Sequence, residues 1–145
     1  MRTRIGPREE AVYAGLVGIA LALLLRLPVL RGLRTTVPED LGDPLLQTWQ
    51  LAWGAHAITS QPTNVWDSNT FWPLERSLAF SDALLGYAPI GLLFGDGTAA
   101  ALARYNTIFL LTYALAFTGT YLLARQLGSS RLAGGAAGIA FAYAP

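Results

Sequence analysis

Apolar positions in this sequence gather into runs instead of recurring with a helical or alternating period. The first run, 11–25, contains no charge and continues through Arg26 to residue 30. About 20 residues of helix cross the hydrocarbon of a bilayer, so 11–30 is expected to form transmembrane helix 1. A second run, 105–124, is uncharged and ends at Arg125; it predicts transmembrane helix 2 over 103–125. A third begins at Leu132, and its AGGAAGIA pattern has the small residues that let helices approach closely. It is read as the start of transmembrane helix 3 over 132–145. A fourth stretch, 83–94, is apolar but short, carries Gly86, Pro89 and Gly91, and lies between Asp82 and Asp96. Stretches of that length are more often interfacial or re-entrant than spanning. The expected fold class is an all-α membrane protein, with a long extracytoplasmic loop bearing amphipathic interfacial helices.

Charge placement orients these elements. Arg2, Arg4 and Arg8 precede the first run and favour a cytoplasmic N-terminus over 1–10. A cleavable signal peptide is the competing reading, but RLPVLRGLR after the run offers no small-residue cleavage site. If 83–94 does not span, Arg125 and Arg131 fall in a short cytoplasmic turn, 126–131, as the positive-inside tendency asks. Arg26, Arg31, Arg34 and Arg76 lie outside in either case, so the rule is obeyed only in part. The outer segment is then 31–102, with interfacial helices near 44–58 and 82–95. The expected location is the inner or plasma membrane, in a multi-pass protein. The sequence stops within an apolar run, so it is expected to be the N-terminal piece of a larger polytopic chain.

In the outer segment, Asp43 is placed to cap a helix that has Pro44 at its first position. Leu45, Trp49, Ala52, Trp53 and His56 then recur at helical spacing, with Leu51 off that face. A tryptophan-bearing helix lying on the membrane surface fits the pattern. NVWDSNTFWPL follows, with turn formers and three aromatics, and reads as a loop close to the lipid headgroups.

Composition sharpens this picture. Of 145 residues, 53% are hydrophobic and 13% charged, against about 25% charged in soluble domains. The net charge of +1, with no basic block and no Gly-rich phosphate loop, argues against nucleic acid as a partner. Cysteine is absent, which removes disulfides, thiolate metal sites and thiol nucleophiles. Neither G-x-S-x-G nor H-E-x-x-H occurs.

Scarce carboxylates concentrate in the outer segment: Glu39, Asp40, Asp43, Asp67, Glu75 and Asp82. One of them could act as general base toward an acceptor hydroxyl or amine. Two could hold a divalent cation, Mg or Mn, that neutralises phosphate charge. Arg34, Arg76 and Arg104 could bind phosphate in the fork geometry suited to it, and Gln47 and Asp82 complete the candidate substrate contacts. Plainer accounts stand beside each. Asp43 could serve only as a helix cap, Asp82 could cap the short apolar helix after it, and Asp67 could bond locally in a turn. His56 lacks a second ligand at metal spacing and belongs on a helix face. Arg26 is expected to snorkel outward.

The order of elements resembles the N-terminal part of the GT-C class of membrane glycosyltransferases, above all bacterial relatives of the protein mannosyltransferase and aminoarabinose transferase branch. The segments that carry the likeness are DLGDPLLQTW, SDALLGYAPIGLLFG, ARYNTIFLLTYALAFTGTYLLARQLGSSR and LAGGAAGIAFAYAP, which together cover much of the chain. The resemblance implies a polyprenyl-phosphate sugar donor, an extracytoplasmic acceptor and a catalytic Asp in the first outer loop. By position that base is Asp43, with Asp40 second. Two departures are visible: the acidic pair is D-x-x-D instead of adjacent Asp-Glu, and Asp82 stands where a basic residue is common. The alternative is a non-catalytic envelope membrane protein, a transport or scaffold subunit. A transporter would carry ionisable or Gly/Pro-interrupted positions near the bilayer midplane, and 105–124 has no charge. A family member that keeps only the architecture is the third reading.

Overall fold

A computed structural model describes residues 6–144; Arg2 and Arg4, used above for orientation, and Pro145 lie outside them. Of the described residues 68% are helical, and none lies in a strand. Its helices are α1 (Pro7–Leu25), α2 (Leu27–Arg31), α3 (Asp43–Ser60), α4 (Ala88–Gly91), α5 (Thr98–Gln126) and α6 (Arg131–Tyr143). Short 3-10 turns at Ser77–Phe80 and Leu85–Tyr87 fill part of the gap between α3 and α4. One helix, α5, is long and apolar enough to cross a membrane. The structure divides into two compact units, the first Met1–Leu30 with Phe109–Pro145, the second Arg31–Ile108.

The first unit packs α1 and α6 on the later part of α5 through small residues. On α1 the buried positions are Ala14, Gly18 and Ala22; on α6 they are Gly134, Gly138 and Ala142. Spacing of four puts each set on one helix face. A Cβ added at Gly18 would lie 2.7 Å from the Ala114 carbonyl oxygen, and one at Gly138 would lie 2.8 Å from the Phe117 ring. These glycines are what allows the backbones to come together. The large apolar side chains point the other way: Val12, Leu16, Val17, Ile19, Leu24, Leu115, Leu123, Ile139 and Phe141 are all exposed.

Polar groups fasten one end of this unit. Glu10 Oε1 accepts from Tyr121 Oη at 2.8 Å and Arg125 Nε at 2.7 Å, and Arg131 Nε stands 3.5 Å away. The Arg125 guanidinium also donates to the Ser129 carbonyl. At its start, α6 is capped by Ser130 Oγ, which accepts from the Ala133 amide at 3.2 Å.

The expected continuous helix over 11–30 is interrupted. Arg26 leaves helical geometry (φ −114°, ψ 32°), and α2 begins after it. Pro28 is the cause, since it lacks an amide for the Leu24 carbonyl and its ring crowds that carbonyl. The helix expected near 82–95 also shrinks, to the single turn of α4. Leu84 adopts a left-handed backbone (φ 50°) and Gly91 ends the helix, leaving room for little more than one turn from Ala88.

The second unit has a core of Leu51, Ala55, Ala57, Leu78, Ala88 and Ala103. α4 lies against α3 at two glycines: Gly54 faces Ala88 Cβ and Gly91 faces Ala55 Cβ, at 3.3 and 3.0 Å from the position a glycine Cβ would take. Two buried polar side chains of α5 then hold the connecting segments. Arg104 Nε donates to the Gly91 carbonyl at 3.0 Å, and its Nη2 reaches the carbonyls of Gly95 (3.2 Å) and Phe94 (3.4 Å). Asn106 Nδ2 donates to the carbonyls of Leu33 (3.0 Å) and Thr36 (2.8 Å).

Candidate functional site

α3 starts at the expected place, but its cap differs. Gly42, not Asp43, holds the N-cap position, and Gly42 receives Asp40: the Gly42 amide donates to Asp40 Oδ1 at 2.7 Å. Asp40 is thereby tied into a local turn of the kind Asp side chains favour. Asp43 sits in the first helical turn, exposed, and its carboxylate accepts no hydrogen bond from the described residues. A negative charge there complements the helix dipole. Of the two carboxylates expected to carry chemistry, both are exposed; Asp43 is wholly unengaged, while Asp40 has Oδ1 committed to the turn.

The face of α3 that turns inward is not the one its periodicity suggested. Pro44, Thr48, Leu51 and Ala55 are buried, together with Gln50, Gly54 and Ala57. The stripe of Leu45, Trp49, Ala52 and His56 instead lines an open cavity of about 550 Å³. Its remaining wall comes from Thr48, Thr59, Gly91, Phe94, Asp96, Thr98 and Arg104. Trp49 and Trp53 are held by their indole N–H groups, which donate to Asn69 Oδ1 (3.2 Å) and the Val65 carbonyl (3.1 Å). His56 Nε2 lies 3.1 Å from Ser60 Oγ. The cavity therefore combines an aromatic plane with an imidazole, a carboxylate, hydroxyls and the edge of a buried guanidinium. Such a lining suits a small hydroxylated ligand.

The expected site residues do not converge on one place. Arg104 borders this cavity, but it is 4% exposed and its Nε and Nη2 already serve three carbonyls. It braces the α4–α5 connection, and a role as a free phosphate clamp does not survive. Arg76 borders a different cavity, of about 500 Å³, with Asn64, Trp66 and Asp67. There the Arg76 amide, not its guanidinium, bonds Asp67 Oδ1 at 2.7 Å. So Asp67 closes the ends of the loop 67–76 instead of bonding within its own turn. Arg34 and Asp82 are exposed and Gln47 is half-buried; none of the three lines either cavity. Asp82 caps no helix, because the turn after it begins at Leu84 without a side-chain cap.

Among the described residues, no group of three or more His, Cys, Asp or Glu is arranged to hold a metal ion. Arg26 does not extend outward; its Nη2 donates to Tyr113 Oη at 2.6 Å.

Asp96 and Thr98 are the cavity residues that the sequence reading passed over. They follow the turn at Gly95 and Gly97 (φ 92°), and their neighbours Asp-Gly-Thr read as a turn and nothing more. Comparison with family models, with curated proteins and with solved structures finds no match to this chain.

Proposed function

We propose that this chain serves a membrane glycosyltransferase that moves a sugar from a polyprenyl-phosphate donor to an acceptor outside the membrane. The observation that carries the reading is the placing of Asp43: an unengaged carboxylate at the start of α3, the helix whose next residues wall a polar, aromatic-lined cavity. Asp43 takes the proton from an acceptor hydroxyl or amine as that group attacks the anomeric carbon. The bond from that carbon to the phosphate oxygen breaks with inversion, and polyprenyl phosphate departs with the electron pair. Arg34 and Arg76, whose guanidinium groups make no hydrogen bond to the described residues, are the cations free to meet its charge.

The membrane part of the reading is supported by the first unit. Small residues inside and large apolar residues outside suit a lipid surround, where a hydrophobic driving force between helices is missing and close packing replaces it. The donor's isoprenoid tail is the reason such an enzyme lies in lipid.

Two measurements test the proposal. Asp43→Asn should lower transfer by about 10²–10⁴-fold, with helicity unchanged, whereas Asp40→Asn should cost much less. Equal activity of Asp43→Asn and the parent chain would remove Asp43 as the base. For topology, Thr63→Cys and Leu127→Cys give single thiols at exposed positions of a cysteine-free chain. A membrane-impermeant reagent on intact cells should label position 63 and spare 127. The reverse pattern would put Asp43 in the cytoplasm and end the mechanism.

A further inference from the structure

Arg26 stands at the break between α1 and α2, half-buried, with its guanidinium over the ring of Tyr113. Its Nη2 donates to Tyr113 Oη at 2.6 Å, and its guanidinium carbon lies 4.4 Å from the Tyr113 ring centroid. Tyr113 stacks on Tyr143 at 5.3 Å and meets the edge of Phe109 at 5.1 Å. No carboxylate answers this cation: both ion pairs among the described residues belong to Glu10. Tyr143 Oη is buried and has no hydrogen-bond partner.

Depth makes the missing charge matter. In the membrane reading, Arg26 follows Ala11 by fifteen residues, roughly 22 Å along a helix, which brings it toward the outer edge of the ~30 Å hydrocarbon, next to the layer of lipid phosphates. An arginine there ordinarily snorkels to the headgroups or pairs with another group. This one turns to Tyr113, and the rings offset part of its desolvation through cation–π attraction. What remains open is the rest of the guanidinium fork and one buried phenol, both hydrogen-bond donors. Donors without an acceptor, at this depth, fit an anion that arrives with its own apolar body.

We propose that Arg26, Tyr113 and Tyr143 form a binding site for the phosphate of an anionic phospholipid. The guanidinium nitrogens of Arg26 that are left open donate to one of the two charged phosphate oxygens, and Tyr143 Oη donates to the other. The inference rests on the membrane reading of the first unit and not on sugar transfer, so a transfer-dead Asp43→Asn chain should keep it.

The test is native mass spectrometry of the full chain in a neutral maltoside detergent. It is titrated with dilauroyl phosphatidylglycerol or with dilauroyl phosphatidylcholine. Phosphatidylglycerol should bind about tenfold tighter, because the choline cation of phosphatidylcholine competes with Arg26 for the phosphate charge; tenfold is about the size of one charge-assisted hydrogen bond. Arg26→Gln should erase the preference. Because Arg26 also holds Tyr113, Tyr143→Phe provides the cleaner variant: it removes a hydroxyl that bonds nothing in the free protein. It should weaken phosphatidylglycerol binding about threefold with no loss of thermal stability. Unchanged lipid preference in Tyr143→Phe and Arg26→Gln alike would make the cluster purely structural and overturn the proposal. Displacement of the lipid by inorganic phosphate at matching concentration would overturn it too, assigning the site to a free anion.

Discussion

The two units of this chain differ in where their largest aliphatic side chains go. In the second, the fully buried positions include Leu51 and Leu78, the arrangement expected where water drives large apolar side chains inward. In the first, glycine and alanine line the helix contacts of α1 and α6, while leucines, valines and isoleucines face away. The polar groups differ as well. The second unit commits buried Arg104 and Asn106 to loop carbonyls, whereas the first gathers its ion pairs at one end around Glu10 and leaves Arg26 apart on Tyr113. The contrast teaches that the surroundings, not the helix count, decide which side chains make a core. In the membrane reading proposed above, where no water surrounds the outer face, packing distance takes over from area removed from solvent.

Four substitutions sharpen or break that comparison. Leu51→Ala, in the second unit, removes a side chain that is 2% exposed and should cost about 2–5 kcal/mol of stability. Denaturant unfolding followed by tryptophan fluorescence reads it, since all four tryptophans lie in 31–108. Gly18→Ala should cost about 1–3 kcal/mol, because its new Cβ meets a backbone oxygen that cannot step aside. Unfolding of the full chain in detergent, followed by circular dichroism, checks this; a neutral result would mean that the α1–α5 contact is looser than described.

Third in size comes a pH effect. Hydrogen bonds from Arg125 and Tyr121, aided by the charges of Arg125 and Arg131, hold the Glu10 carboxyl down at about 2, from its ordinary 4.5. A depressed folded value contributes stability above pH 4.5 that is lost as pH falls from 4.5 toward 2. The thermal midpoint of the parent chain should decline across that window. Glu10→Gln should start lower and lose that part of the decline; identical pH profiles for the two would separate Glu10 from stability. Smallest is Leu16→Ala, on the exposed face of α1. It should change stability by less than about 0.5 kcal/mol. A cost resembling that of Leu51→Ala would mean that Leu16 is covered, and the contrast between the units would fall.

Periodicity and punctuation made much of the architecture readable. The uncharged run 105–124 located most of α5, though the helix reaches back to Thr98 because Ala99 to Ala103 are strong helix formers that no apolar window picks out. Asp43 and Pro44 marked the start of α3 within a residue. The face of α3 was misread because tryptophan dominated the pattern. Its helical stripe suggested lipid, but the indole N–H groups are anchored to Asn69 and Val65, and small residues 54, 55 and 57 do the burying. Asp43 was legible as a helix-start residue, one position inside the cap held by Gly42. The partners of Asp40, Arg104 and Arg26 were not. Each depends on backbone brought near by folding, and no spacing rule reports which carbonyl an arginine will find.

Asn106 has a consequence for how the chain is made. Its amide fastens carbonyls 73 and 70 residues earlier in the sequence. Until it leaves the ribosome, the segment after α2 lacks the group that pins it. At about 5–20 residues per second, roughly 4–14 s of synthesis separate that segment from its clasp. During that interval the stretch that carries Asp43 is the part of the nascent protein most open to proteases and to wrong partners. A late-arriving asparagine thus sets the clock for completing an early one-third of the molecule.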